Sequence, residues 1–418
     1  MSKIFKTADI LIPQGCDMKK WSVVACDQFS SQPEYWERLE SEISGAPSTL
    51  YLMLPEAFLE SRDQFEQAEK INAQMEKYIK DGVFTTIKNS YIYIERTLKD
   101  GSLRRGLIGA LDLDEYDYGK ASKTPVRATE GTVEDRLPPR VKVRSGASLE
   151  MPHIMVFVDD ETDALMGTLS RQSQNLTKLY DFELCADGGH IKGFQVSGVA
   201  ADAASDIIEG FSDKETLRSR YGDLAPAIFA MGDGNHSLAT AKKCWEAIKP
   251  TLSAQEAREH PARYSLVELV NIHDAAVEFE PIHKVVFETE PQSFLQEAKA
   301  FWAAQNKDGA CHTLKIITQN DCEEIEVCGL MIGELIGKAE DFCQSYMAKH
   351  GGKIDYIHND ETAIEMGARS GCAAILLPTL GKGELFPSII KSGPFPKKSF
   401  SIGHAQDKRY YLECRKIK

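Results

Sequence analysis

The short apolar run Ala225-Pro226-Ala227-Ile228-Phe229-Ala230-Met231 breaks into Gly232-Asp233-Gly234-Asn235-His236, and apolar residues then return at Leu238, Ala241, Cys244, Trp245 and Ile248. A run of strand length followed by a period near 3.6 reads as a strand entering a helix through a glycine turn. The first N–H groups of such a helix lack intrahelical acceptors. With the positive end of the helix dipole they form an anion site above the turn. Gly232 and Gly234 let the backbone approach a ligand closely, and Asp233, Asn235 and His236 would surround it, Asp233 as base or metal ligand. The competing account is a helix cap, because Asp and Asn are preferred there. The Walker pattern is absent, and the dinucleotide pattern begun at 232 and 234 fails at Ser237. Ser237 and His236 are helix neighbours that do not face each other, so they make no nucleophile–base pair.

The alternation of strand and helix continues along the chain. Residues 21–26 read as a strand, Pro33 opens a helix through Ile43, and residues 56–80 carry a long amphipathic helix. Apolar runs at 91–94 and 107–111 around Asp100-Gly101 read as a hairpin. A strand at 154–158 and a helix over 161–180 follow. Beyond Pro261, strands at 264–272, 313–318 and 373–377 alternate with helices at 291–304, 334–349 and 385–390. Residues 119–152 show no apolar period. The expected class is α/β or mixed α+β, with soft boundaries that divide the chain into 1–150, 151–275 and 276–418.

Composition removes several functions. Lys+Arg 49 against Asp+Glu 63 leaves a formal net charge of -14 over 418 residues, which argues against a phosphate backbone as main partner. No apolar run approaches the roughly 18 residues that span a bilayer, and the first residues lack the apolar core of a secretory signal. Ten cysteines are scattered without a C-x-x-C pair, which reads as free thiols in a reducing cytoplasm. HExxH, G-x-S-x-G and EF-hand patterns are absent.

Three further segments carry charge that chemistry could use. In the polar loop Arg127 to Arg136, continuing to Arg140, Lys142 and Arg144, the arginines suit phosphate and Glu134 or Asp135 suits Mg²⁺; the plain account is a solvated loop with local ion pairs. His283 and Lys284 open an apolar run, where strand alternation turns them to opposite faces. Lys397 and Lys398 precede Ser399 in a Pro-limited stretch and could hold phosphate as point charges.

Taken together, WSVVACDQFSSQPEYW at 21–36, RATEGTVEDRL at 127–137, GDGNHSLATA at 232–241, PIHKVV at 281–286, DYIHNDE at 355–361 and PKKSFSIG at 396–403 resemble, in order and over nearly the whole chain, the family known as domain of unknown function 1015. The D-G-H-H-R stretch of that family is similar to the nucleotide-binding box of the ParB/sulfiredoxin-like fold, to which free serine kinases belong. The resemblance implies a ParB/sulfiredoxin-like phosphate-binding core with additional α/β segments, the core lying in 151–275. It also implies a phosphotransferase acting on the hydroxyl of a free amino acid, L-serine favoured, with pyrophosphate, ADP or ATP as donor and Mg²⁺ as the metal. By motif position Asp233 receives the hydroxyl proton, and Gly234 and His236 contact the donor. Glu134, Asp135 and Arg136 lie near the same site. Asn235 stands where the family has its first His, and Ser237 where it has a phosphate-gripping Arg. Arg127, Arg136, His283, Lys284 or Lys398 would supply that charge; the N-terminal acid of the kinases has no clear counterpart, and Asp27 is the candidate for it.

The expectation is a cytoplasmic enzyme acting on small molecules, away from membranes, with homodimerisation left open. A non-catalytic, ParB-like nucleotide switch is the alternative. A dinucleotide-dependent oxidoreductase, resting on Gly232 and Gly234 alone, is a distant third.

Overall fold

The computed structural model describes residues 3–132 and 134–418. Eleven described strands form one mixed sheet. At its centre the long hairpin Phe84–Thr97 and Leu103–Asp112 turns at Asp100-Gly101, as the sequence suggests. From this hairpin the sheet runs through Tyr264–Asn271, Met155–Val158 and Phe229–Asp233 to the short strand Val126–Arg127. Strand alternation sends Tyr91, Tyr93 and Leu107 to one face and Ile92, Ile94 and Ile108 to the other, and both faces are buried. Helices Ala164–Gln172, Val199–Gly210 and Asn235–Ile248 cover the first face; Pro33–Ile43 covers the second. The sheet takes strands from both sides of residue 150.

A second, five-stranded antiparallel sheet is built from Cys322–Cys328, Cys311–Ile317, Cys372–Leu376, His283–Phe287 and Lys353–Ile357. Helices Pro291–Ala303 and Ile332–His350 bury Trp302, Phe294 and Phe342 against it. The two sheets share one core: Met155 and Phe157 of the large sheet reach into the cluster that holds Val286 and Ile316 of the small one, with Phe157 edge-on to Phe279.

The tail then returns. Tyr410–Tyr411 pairs with Val23–Val24, Cys414 bridges to Leu11, and Arg415–Lys416 pairs with Leu149–Glu150. Buried charges fasten it. The Arg96 guanidinium donates to the carbonyls of Gly188, Gln406, Asp407 and Lys408, while Arg409 pairs with Glu268 at 3.2 Å and with Glu413. Burial, and then the neighbouring Arg104, lowers Arg96 to about 9.

Some elements depart from the sequence reading. The 56–80 helix begins at Gln64, because Asp63 caps it through the N–H groups of Phe65 and Glu66. The 161–180 helix ends at Gln172, and its remainder belongs to the strand Thr177–Glu183. Residues 119–152 contain the helix Leu137–Gly146, which carries Pro138 and Pro139 in its first turn, where no intrahelical N–H is needed. Two of the ten cysteines are not free: Cys311 and Cys328, directly opposed in adjacent strands, form a disulfide. Among the described residues no helix is long and apolar enough to cross a membrane.

Candidate functional site

The glycine turn sits at the end of strand Phe229–Asp233, and Trp245, fully buried and donating to Asp114 Oδ1 at 2.8 Å, anchors the helix behind it. Gly234 has φ of +80°, and a Cβ there would come within 3.1 Å of Ile154, so position 234 accepts only glycine without strain. The cap account does not survive. Gly234 is itself the N-cap and no side chain caps the helix. Asp233 Oδ1 instead accepts the Gly234 N–H at 2.8 Å, and its Oδ2 lies 3.3 Å from Lys408 Nζ.

The polar loop reaches the same place. Val126–Arg127 pairs parallel to Phe229–Ala230, and Thr129 Oγ1 donates to Met231 O at 2.7 Å. Glu130 then bridges to Phe395, and its carboxylate accepts the Lys398 N–H. Two segments that the sequence singles out separately therefore meet beside the glycine turn.

Two compartments result. The first, about 160 Å³, is bounded by Asp27, Glu56, Glu130, Arg140, His153 and the turn from Asp233 to Ser237. His153 is buried there, its Nε2 3.2 Å from Ser237 Oγ and 3.8 Å from Asp27 Oδ2. Its Nδ1 is 2.8 Å from the Tyr411 hydroxyl, which is 3.1 Å from Cys26 Sγ. The Tyr411 hydroxyl thus holds one side of the ring while Nε2 faces Ser237 and the cavity. Burial, with Asp27 nearby, pushes the Cys26 thiol up to about 11, so it is not a nucleophile at neutral pH. Burial works to raise Asp27 as well. His153, the Gln28 amide, Lys408 and Arg140 outweigh it and hold this carboxyl below its ordinary value.

The second compartment, about 400 Å³, is bounded by Lys398, Lys408, His358, Tyr356 and Ser399. Lys398 Nζ lies 4.4 Å from the centre of the Tyr356 ring. Partial burial, and then the Lys408 and Lys398 charges, push His358 below its ordinary value against the opposing Glu280. Glu130, Asp233 and Asn235 belong to both compartments and form the wall between them. Asn235 Oδ1 is buried in that wall with no hydrogen-bond partner.

Of the residues expected from sequence, Asp27, Gly232, Asp233, Gly234, Asn235, His236, Ser237 and Lys398 line this cleft. Others do not. The Arg127 guanidinium is buried at the far end of its strand, donating to the carbonyls of Thr124, Ala225 and Pro226. His283 is bound by Asp360 at 2.8 Å and by the Leu377 N–H at 3.1 Å. Lys284 is fully buried and paired with Glu340 at 2.6 Å, behind Tyr356. Glu134 and Asp135 are exposed on the turn Glu134–Arg136 and line neither compartment; the Arg136 side chain lies outside the described residues. Sequence reasoning missed His153, Lys408, Tyr411 and His358. His358 lies within the DYIHNDE stretch at 355–361 without being singled out, and His153, Lys408 and Tyr411 stand in no motif.

A family model described as "Protein of unknown function (DUF1015)" matches residues 12–363. No match is found among curated proteins. Among solved structures, a free serine kinase in complex with AMP is similar at 10% identity and a TM-score of 0.36, over 74% of this chain and 91% of that one. A conserved hypothetical protein from Pyrococcus furiosus is similar at 10% identity and a TM-score of 0.34, over 72% and 93%. SbnI with a C-terminal truncation, from Staphylococcus aureus, follows at 9% and 0.35, over 71% and 82%. Likenesses at these scores carry no functional argument.

Proposed function

The chain belongs to the DUF1015 family, and we propose that its cleft transfers a phosphoryl group from a small phosphate donor to the hydroxyl of a free amino acid. One observation carries the reading. Asp233 stands in the wall between a compartment lined by Lys398 and Lys408 and another lined by Asp27 and His153. Phosphoryl transfer needs cations and amides around the transferred group and one base at the acceptor hydroxyl, held in line.

In this reading the donor, pyrophosphate or an adenine nucleotide, lies against Lys398, Lys408 and the Asn235 end of helix Asn235–Ile248, while His236 and Ser237 face the acceptor side. The acceptor hydroxyl enters from the Asp27 and His153 side. Its oxygen attacks the terminal phosphorus, the bond to the leaving phosphate or nucleotide breaks, and the hydroxyl proton passes to Asp233. Lys408 offsets the charge on the leaving group. Asp27 holds a cationic part of the acceptor, such as an ammonium. A Mg²⁺ ion would be held by Glu130 or Asp233 together with donor oxygens, since that ion commonly takes one or two carboxylates and the substrate phosphates. It would supply charge neutralisation there.

Phosphorus NMR of the purified protein with Mg²⁺, L-serine and each of pyrophosphate, ADP and ATP tests this. A phosphomonoester signal from one donor, absent in Asp233→Asn, is the expected result. A donor that shifts the melting temperature without being consumed would replace this reading with a nucleotide-binding switch.

A further inference from the structure

We infer that the acceptor carries an apolar group, seated in a chamber that adjoins the acid compartment; the inference rests on the phosphotransferase reading and names its substrate class more closely. The chamber holds about 160 Å³ and is walled by Leu52, Met53, Leu59, Met75, Val143 and Leu149. Cys26, Glu56, Arg140, His153 and Ser237 line both the chamber and the acid compartment, so the two adjoin around the His153 imidazole. The chamber also lies where three apolar clusters of the core meet: Met75 and Leu149 belong to one, Met53 to a second and Ile154 to a third.

Its charged neighbours are paired with one another. Arg144 is held by Glu150 at 2.6 Å, and Arg140 is paired with Glu56. Thr240, Ser265, Glu150 and Tyr411 also line the chamber, but the Leu, Met and Val side chains make most of its surface. Close-packed interiors leave few voids of this size. A mostly apolar chamber of this kind, beside the reacting groups, fits a substrate substituent.

L-Serine has no such substituent and would leave the chamber unfilled. Each methylene seated in it is worth roughly fourfold in affinity, so three added carbons give roughly fiftyfold. The class that fits is a hydroxy amino acid whose carbinol carbon bears a branched-chain or aromatic group.

The test measures kcat/KM for L-serine, L-threonine, 3-hydroxyleucine and 3-phenylserine with the donor identified by phosphorus NMR. It uses the full chain and two chamber-filling variants, Val143→Phe and Leu59→Phe, each checked for folding by thermal melting. Both positions are partly exposed, so one variant serves if the other fails to fold. The expected result is a rise in kcat/KM with substituent size that the filled chamber flattens toward a ratio of one. Transfer to serine with no gain along the series overturns the inference and leaves the phosphotransferase reading standing. No transfer to any of the four overturns the phosphotransferase reading itself. Calorimetric titration of the same compounds then reads the chamber alone: flat affinities overturn the inference too, and a rise that Leu59→Phe cancels upholds it for the ligand the cleft takes.

Discussion

Replacing Asp233 by Asn separates chemistry from architecture, because the structure sets the two costs far apart. The asparagine Oδ1 can still accept the Gly234 N–H now bound at 2.8 Å, so the turn keeps its hydrogen bond. What is lost is the ion pair with Lys408 at 3.3 Å, between side chains 22% and 15% exposed. Such a pair is worth roughly 0.5–1 kcal/mol. Spread over the unfolding entropy of a chain this long, that lowers the melting temperature by only about 1 °C. Loss of a general base costs roughly 10²–10⁴ in rate, or about 3–5 kcal/mol of barrier. Thermal melting and phosphorus NMR of the same preparation measure both. A rate that falls less than tenfold while the melting temperature holds would refute the base assignment. A rate that falls only in step with stability would refute it as well.

Lys408→Met should raise the KM of the phosphate donor by roughly 10–100-fold, the loss of one charge-assisted contact, and leave the acceptor KM within about twofold; equal rises in both would contradict the division into compartments. Tyr411→Phe removes the hydroxyl partner of His153 Nδ1, a buried polar atom then left unpaired at roughly 1–3 kcal/mol. Its melting temperature and kcat should both fall, and an unchanged kcat would show that the hydroxyl's hold on His153 does not matter. Burial works to raise Glu150, but Arg415 and Arg144 outweigh it and hold its carboxyl below the ordinary 4.5. Its stabilising effect is therefore full above that value and is lost as pH falls through the lower folded-state value. The stability gap between wild type and Glu150→Gln, followed by denaturant titration, should narrow as the solution is acidified below about pH 4.5, and a gap independent of pH would contradict the assignment.

The glycine turn is legible in the sequence because its chemistry is local: strand, positive-φ glycine and helix start follow within a dozen residues. The hairpin about Asp100-Gly101 and the mixed α/β class are legible for the same reason. The loop at Thr129–Glu130 and the stretch at Lys398 were each noticed alone, but their meeting through the Glu130–Phe395 bridge spans the whole fold and leaves no local trace. His153 shows the limit most sharply. Its partners Ser237 and Tyr411 are 84 and 258 residues away, so no spacing announces them. Lys284, His283 and Arg127 fail in the opposite way. Each has the right chemistry for phosphate, but a carboxylate or carbonyl from a distant segment has already taken its charge. The helix Leu137–Gly146 is hidden because its segment shows no apolar period, and Leu137 is its one buried side chain among the described residues.

The returning tail gives the cleft a timetable. Asp27 is made early, but Lys408 and Tyr411, which complete the two compartments, are added more than 380 residues later. At roughly 5–20 residues per second, the ribosome takes about 20–80 seconds between them. Both sheets can be largely built in that interval, while the cleft still lacks its pairing lysine and the hydroxyl that orients His153. A nascent chain, or one broken off before residue 408, would thus hold most of the core but no finished cleft. Arg96 and Arg409 then lock the tail in place with buried charges, so the step that closes the fold also switches on the pocket.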